Sequence, residues 1–170
     1  MDMKAADPDP VRPRSLALLT RSLAIAANEA TEPEVALRRC LSELMEYSRW
    51  SLGRVIVFGE RLEDHETQVS VWHAREQGAW DDFIRVSEPF KIGSGRMGFI
   101  GRALVTRKPV WATDLGAFPG LVRQAVVRAA GFRSALAFPV IAVGRIFALL
   151  EFFSVEHKDP DEALLDALPE

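Results

Sequence analysis

Two kinds of periodicity divide the chain. From Ser15 to about Ala27, residues Leu16, Leu19, Leu23 and Ala26 recur at helical spacing, which predicts an amphipathic helix. A second helix is predicted from Thr31 to about Ser48, with Leu37, Leu41, Leu44 and Met45 on its apolar side. Thr31-Glu32-Pro33-Glu34 marks its start: Thr31 accepts backbone N–H groups, Glu34 bonds back, and Pro33 loses nothing in a first turn. The period then shortens to that of strands. Arg54 to Phe58 and Gln68 to Ala74 are β-prone runs separated by the polar stretch Glu60 to Glu66, a hairpin pattern with a long loop. After Phe83 the pattern loosens through Pro89 and turns glycine-rich from Gly93 to Gly101. A short helix from about Phe99 to Thr106 stops before Lys108-Pro109, Pro109 to Ala112 reads as a strand, and Leu121 to Ala130 is helical up to Gly131. The clearest pattern comes last. Ser134 to Val143 and Arg145 to Phe153 are two long β-prone runs joined at Gly144, which predicts an antiparallel hairpin. Asp159-Pro160-Asp161-Glu162 then caps a closing helix that carries Leu164, Leu165 and Leu168.

Composition narrows the class without changing this order. A chain of 170 residues, 48% hydrophobic and 26% charged, fits one globular domain. Asp7-Pro8-Asp9-Pro10 and Pro13 resist helix and sheet, so residues 1–14 are expected to be a flexible tail and residues 15–168 the domain. No apolar run reaches the roughly 18–20 residues of a membrane span. The nearest, Ser134 to Phe153, is broken by Pro139, Gly144, Arg145 and Glu151. Lys4 is not followed by an apolar segment, and the single cysteine, Cys40, makes no internal disulfide, so a cytoplasmic location is expected.

The net charge of −3 conceals an asymmetry. The segment from Arg85 to Arg133 carries nine Lys or Arg against Glu88 and Asp114, a surplus of +7, while the remainder carries −10. Such clustering marks either an anion site or separate solvated faces. Nucleic acid is disfavoured, since the cluster has no dense basic run and the chain is acidic overall.

Most chemical motifs fail on context. Gly93-Ser94-Gly95-Arg96-Met97-Gly98 matches a dinucleotide-binding glycine pattern, with Asp114 about twenty residues on. The preceding stretch holds Pro89 and Lys91 rather than a buried parallel strand, and an antiparallel hairpin follows instead of repeated βαβ units. His65, His73 and His157 are far apart, no metal-ligand spacing is present, and Ser94 and Ser134 lack a nucleophile signature. Cys40 lies beside Arg38 and Arg39, a setting open to a lowered pKa but more often inert. Glu151 stands out. It interrupts Phe147-Ala148-Leu149-Leu150 and Phe152-Phe153 in a strand that should be buried, and a buried carboxylate requires a partner: an arginine, backbone donors or a ligand. Trp72, Phe90, Trp111, Phe118 and Phe138 suit a pocket lining and core packing equally.

A family resemblance rests on an ordered series of motifs. Ile92-Gly93-Ser94-Gly95, Gly98-Phe99-Ile100-Gly101-Arg102-Ala103-Leu104, Lys108-Pro109-Val110-Trp111 and Asp114-Leu115 form the first part. Ala130-Gly131-Phe132-Arg133-Ser134-Ala135, Phe138-Pro139-Val140 and Leu149-Leu150-Glu151-Phe152-Phe153-Ser154 form the second. The series resembles the GAF domains of bacterial signalling proteins such as sensor histidine kinases, over about Leu16 to Leu168. The resemblance implies an α+β, profilin-like and PAS-related fold. A central antiparallel sheet of five or six strands would carry the terminal helices on one face and short helices and loops over a pocket on the other. It implies a regulatory sensor rather than an enzyme, binding a small molecule and acting on a C-terminal output domain such as a histidine kinase or cyclase. A ligand-free homodimerising spacer is the alternative, and the cofactor is left unknown. Bilin attachment would need a pocket cysteine, and Cys40 lies in the wrong region. The phosphodiesterase-type Asn-Lys…Phe…Asp-Glu signature is missing, and free methionine sulfoxide reductases of this fold rely on several cysteines. Haem would need an axial ligand, for which only His73 offers itself. The ligand-binding set expected is Trp72, Phe90, Met97, Trp111, Asp114, Phe118, Arg128, Arg133, Phe138 and Glu151, with Arg128 and Arg133 holding an anion.

Overall fold

The computed structural model describes residues 16–29, 32–59, 69–89, 98–121 and 123–167. The tail, Thr31, the Glu60–Glu66 loop, Phe90, the Gly93–Gly98 pattern as far as Met97, and Leu168 lie outside them. In chain order the elements are α1 (Leu16–Glu29), α2 (Pro33–Ser48), β1 (Leu52–Val57), β2 (Val69–Ala74), α3 (Asp81–Ser87) and α4 (Gly98–Thr106). They continue with β3 (Val110–Ala112), a 3₁₀ turn (Leu115–Ala117), α5 (Gln124–Ala129), β4 (Ser134–Ala142), β5 (Arg145–Ser154) and α6 (Glu162–Ala167). The strands form one five-stranded sheet in the order β2-β1-β5-β4-β3, and all neighbours are antiparallel.

Side-chain alternation along the strands builds two separate cores. On one face Val55, Val71, Leu136, Ala148 and Phe152 meet Leu19 of α1, Leu41, Leu44 and Met45 of α2, and Leu164 of α6. Gly53 makes this contact close. A Cβ there would stand 2.8 Å from Met45 Sδ and 3.0 Å from Leu41 Cδ1, so a larger residue would have to push these side-chain tips aside. On the other face Leu52, Ile56, Leu149 and Phe153 meet Phe83 of α3, Phe99 and Ala103 of α4, Val127 of α5, and Phe132. The expected layering is what the fold shows: terminal helices on one face, short helices on the other.

Local chemistry explains most element ends. Glu32 occupies the N-cap of α2 without a side-chain cap bond, and Pro33 sits in the first turn. Asp161 Oδ1 accepts the Leu164 N–H at 3.0 Å and opens α6 as its spacing predicts. Two elements depart from the sequence expectation. Helix α3 falls where the pattern loosens. It spans seven residues, too few to display a helical period, and owes its existence to Phe83, which is buried on the sheet. Helix α5 begins only at Gln124, leaving Arg123 in a non-helical conformation (φ −101°, ψ 30°) at its N-cap.

Candidate functional site

A single cross-strand row defines the site. Register places Trp72 on β2 opposite Arg54 on β1, Arg54 opposite Glu151 on β5, and Glu151 opposite Ala137 on β4. All point toward the short helices. Arg54 and Glu151 are the single charges inside two apolar runs, and pairing of the strands brings them side by side. A third charge arrives from above, because the late start of α5 leaves Arg123 free to reach down. Arg123 Nη2 donates to Glu151 Oε1 at 3.0 Å, and Arg54 Nη1 lies 3.5 Å from Glu151 Oε2. Side-chain exposure is 0% for Glu151, 4% for Arg54 and 7% for Arg123, so the ion triplet is dry.

Aromatic rings and one hydroxyl complete the surroundings. The Arg54 guanidinium lies 4.7 Å over the Trp72 ring and donates through Nε to Ser70 Oγ at 2.6 Å. The Arg123 guanidinium lies 5.6 Å from the centre of the Phe83 ring. Phe83 in turn packs edge-on against Phe132 and Phe153 at 4.9 and 5.2 Å, and against Trp72 at 6.2 Å. Trp72 Nε1 donates to the exposed Glu88. Burial pushes Arg54 below the usual guanidinium range, and Glu151 pulls it back up. A guanidinium is not deprotonated in proteins. The triplet therefore holds two cations against one anion. Among the described residues, Arg123 Nη1, Ser87 Oγ and Glu151 Oε2 are buried without a hydrogen bond, though Glu151 Oε2 keeps its ion pair with Arg54.

Above this nest runs a groove of about 580 Å³ between α3 and α5, lined by Trp80, Phe83, Val86, Ala125, Val126 and Ala129 among others. Phe83 is common to both features: it walls the groove and covers Arg123. The groove falls within the size range of small-molecule sites.

The structure brings together only part of the sequence-predicted set. Trp72 and Glu151 lie in the row. Phe118 packs edge-on against Phe99 at 6.2 Å and lines a different groove with Gly98, Arg102 and Val105. Trp111 is a correction: β3 turns it onto the terminal-helix face, where it packs 5.2 Å from Trp50 and donates Nε1–H to Lys158 O at 2.8 Å. Phe138 is another, because alternation on β4 puts it on the same face as Leu136 and Val140. Asp114 is exposed and caps the 3₁₀ turn, accepting the Ala117 N–H at 3.2 Å. Arg128 and Arg133 are both exposed and do not converge on the triplet; Arg133 instead joins the fold through its backbone, to Ser154 O and from Leu115 N–H. Phe90 and Met97 lie outside the described residues. Arg54 and Arg123 stand outside the sequence-predicted set. The sequence signal for them was the demand of Glu151 for an arginine partner, which does not say which arginine.

Among the described residues no group of three or more His, Cys, Asp or Glu is placed to hold a metal ion, and no helix is long and apolar enough to cross a membrane.

A fold of this kind, with terminal helices on one face and a polar nest under short helices on the other, is that of a GAF domain. The GAF domain family model matches residues 30–169, and the chain belongs to that family. Solved structures agree. The GAF domain of a phosphoenolpyruvate-protein phosphotransferase from Coxiella burnetii is 16% identical with a TM-score of 0.70, over 89% of this chain and 84% of that one. Free methionine-R-sulfoxide reductase from Neisseria meningitidis, solved with its substrate, is 17% identical with a TM-score of 0.64, over 99% and 87%. A Sinorhizobium meliloti domain named as part of a two-component sensor histidine kinase is 9% identical with a TM-score of 0.58, over 81% and 83%. At these identities the likeness is one of fold. No curated protein matches the chain in sequence.

Proposed function

We propose that this GAF domain is a cytoplasmic sensor of bacterial signal transduction. In this reading it binds a small molecule on the short-helix face and passes the bound state through α1, α2 and α6 to an output domain such as a histidine kinase or cyclase. The observation that carries it is the buried Arg54–Glu151–Arg123 triplet, in which Arg123 Nη1 has no hydrogen-bond partner, covered by Phe83, which also walls an apolar groove. A core built for cohesion alone would not keep such groups, since apolar replacements of a buried ion cluster are often neutral or stabilising. The resemblance to a sensor kinase domain supports the signalling role.

We read the role as regulatory rather than catalytic, and Cys40 supports this as far as thiol chemistry goes. It lies on α2, in the layer that covers the opposite face, and burial together with Glu43 pushes its thiol up, away from a reactive thiolate. The test is a native mass spectrum and an absorption spectrum of the purified chain, followed by a thermal-shift screen of small metabolites. A bound species, or stabilisation by any of them, supports sensing. An apo mass with no stabilising compound overturns it.

A second reading, a homodimerising spacer, is favoured by exposed apolar side chains on the terminal helices: Leu18 (54% exposed), Ile25 (43%) and Val35 (44%). Leu18 and Ile25 stand seven residues apart on one stripe of α1. Sedimentation at high micromolar concentration tests it, and a strictly monomeric species removes it.

A further inference from the structure

Lys158 is the residue at which the sheet, α2 and the lead into α6 meet. Its main chain is fixed from both sides: Lys158 N–H donates to Ser134 Oγ at 2.9 Å, and Trp111 Nε1 donates to Lys158 O at 2.8 Å. With the backbone held there, the side chain crosses to the C-terminal end of α2. Its ammonium donates to Ser48 O at 3.3 Å and lies 5.5 Å from the centre of the Trp50 ring. Ser48 is the last residue of a 16-residue helix, and Arg49 after it is left-handed, with φ 56°. A cation is favoured at such an end, where carbonyls lack helical partners. Three residues beyond Lys158, Asp161 Oδ1 accepts the Leu164 N–H and starts α6. One ammonium thus ties the end of α2 to the segment that opens α6.

The tie is made to a carbonyl and a ring rather than to a carboxylate. Asp161 is engaged in the α6 cap, and Asp159 lies 3.3 Å from His157. Burial pushes the Lys158 ammonium below the usual lysine range; Glu156 and Asp161 oppose that shift, and Arg49 and Arg75 reinforce it. More of this amine is therefore free to act as a nucleophile than on an exposed lysine at the same pH. Lys158 also lines a cavity of about 260 Å³, whose apolar lining is Trp50, Trp111 and Leu164. A short acyl chain has room there, against two indole rings. Lys108, the other lysine among the described residues, is exposed and lines no such cavity.

We propose that Lys158 is a site of Nε-acylation by a small acyl phosphate, and that this modification unclasps α2 from the start of α6. The free amine attacks the acyl carbon and a C–N bond forms. The acyl C–O bond breaks, phosphate leaves, and the surplus proton on nitrogen passes to water. The amide produced is neutral and keeps one N–H where the ammonium has three. It loses the cation–π contact with Trp50 and the charge favoured at the end of α2, while the acyl group enters the cavity. The bonds to Ser134 and Trp111 use the main chain of Lys158 and stay, so the change is confined to the clasp. This site lies on the terminal-helix face and stands whether or not a ligand binds on the other.

The experiment treats the intact chain with acetyl phosphate at mildly alkaline pH and follows Lys4, Lys91, Lys108 and Lys158 over time by peptide mass spectrometry. Lys158 is expected to acetylate several-fold faster than Lys108. Hydrogen exchange at the Leu164 and Leu165 amides and in the last turn of α2 reads the clasp. Exchange there should quicken several-fold in the acetylated chain and in Lys158→Gln. Lys158→Arg, which keeps a cation, should hold the wild-type rate, and the same variant treated with acetyl phosphate removes any contribution from the other lysines. Where Lys158→Gln fails to fold, the wild type acetylated after folding carries the test. Acetylation of Lys158 no faster than that of Lys108 overturns the modification site. Unchanged exchange in the acetylated chain overturns the clasp, as does equal quickening in Lys158→Arg and Lys158→Gln, which would show that shape rather than charge joins the two helices.

Discussion

The two faces of the sheet are built from the same five strands and treat polarity in opposite ways. On the terminal-helix face the core is Leu41, Met45, Trp50, Val55 and Phe152, and the polar groups at its margin are satisfied. Trp111 Nε1 reaches Lys158 O at 2.8 Å, Lys158 N reaches Ser134 Oγ at 2.9 Å, and Ser134 Oγ reaches Thr113 O at 2.9 Å. On the short-helix face the aromatic cluster of Phe83, Phe132 and Phe153 lies beside two buried arginines and one glutamate, with Arg123 Nη1 left without a hydrogen bond. One face holds the domain together. The other retains groups that local stability does not ask for, and violations of that kind concentrate at functional sites.

The largest effect should come from breaking the polar face at its centre. Glu151→Ala leaves two buried guanidinium groups without their shared anion and should cost about 3–5 kcal/mol in chemical denaturation. Replacing all three members together by apolar residues of similar volume, Arg54→Met, Glu151→Leu and Arg123→Met, should be neutral or stabilising. That contrast is the sharpest statement of the difference between the faces. A loss below about 1 kcal/mol for Glu151→Ala would show that the triplet is not a dry cluster.

Breaking the apolar face should cost less and by a different mechanism. Gly53→Ala puts a Cβ 2.8 Å from Met45 Sδ, where Met45 and Leu41 are 0% and 1% exposed and their side-chain tips must shift within the core. Overpacking of about 1–3 kcal/mol is expected. Met45→Ala in the same chain makes room, so the double variant should be less destabilised than the sum of the singles. Strict additivity would place the strain elsewhere.

These two sites also mark how far the sequence could be read. The β4–β5 hairpin, α1 and α2 follow from periods repeated over 9 to 16 residues, α6 from its Asp159–Glu162 cap, and the two-faced layering from the family resemblance. Helix α3 was not legible, because seven residues carry no period and Phe83 reads the same in a loop. The expectation that Glu151 needs a partner came from a lone carboxylate in an apolar strand, and the two arginines meet it. Which arginines do so depends on the register Arg54↔Glu151 and on where α5 starts, and both are tertiary facts. The placement of Trp111 and Phe138 on the terminal-helix face is hidden for the same reason: one residue of phase along a strand exchanges the faces.

A smaller effect concerns pH and belongs to the terminal-helix face. Burial pushes His73 below its ordinary value near 6.5, with Glu46 opposing and Arg38 reinforcing the shift. The folded state then prefers the neutral ring. As pH falls below about 6.5 the unfolded chain takes up a proton that the folded chain does not, so stability declines until the lower folded pKa is passed. Denaturation midpoints between pH 7.5 and 5.5 should fall for the wild type, and His73→Gln should flatten the part of that slope due to this ring. An unchanged slope in the variant assigns the decline to other groups.

The smallest effect lies outside both faces, at the tip of the β4–β5 hairpin. Ala142 pairs with Arg145, so Val143-Gly144 is a two-residue turn, and both residues have positive φ, 51° and 74°. Glycine adopts that conformation freely, whereas a β-branched residue does so only under strain. Val143 is fully exposed, at 102%, so its side chain contributes no packing that would offset the strain. Asparagine tolerates the left-handed region, and Asn-Gly is the preferred pair for such a turn. Val143→Asn should therefore stabilise the domain by about 0.5–1 kcal/mol, which corresponds to roughly 1–4 °C in Tm for a domain of this size. Because Arg107 Nη2 holds the turn through Gly144 O at 2.8 Å, a backbone contact, the substitution leaves that bond in place. Ligand affinity on the short-helix face should not move. A drop in Tm would show that the valine is held by a contact at the tip rather than tolerated there.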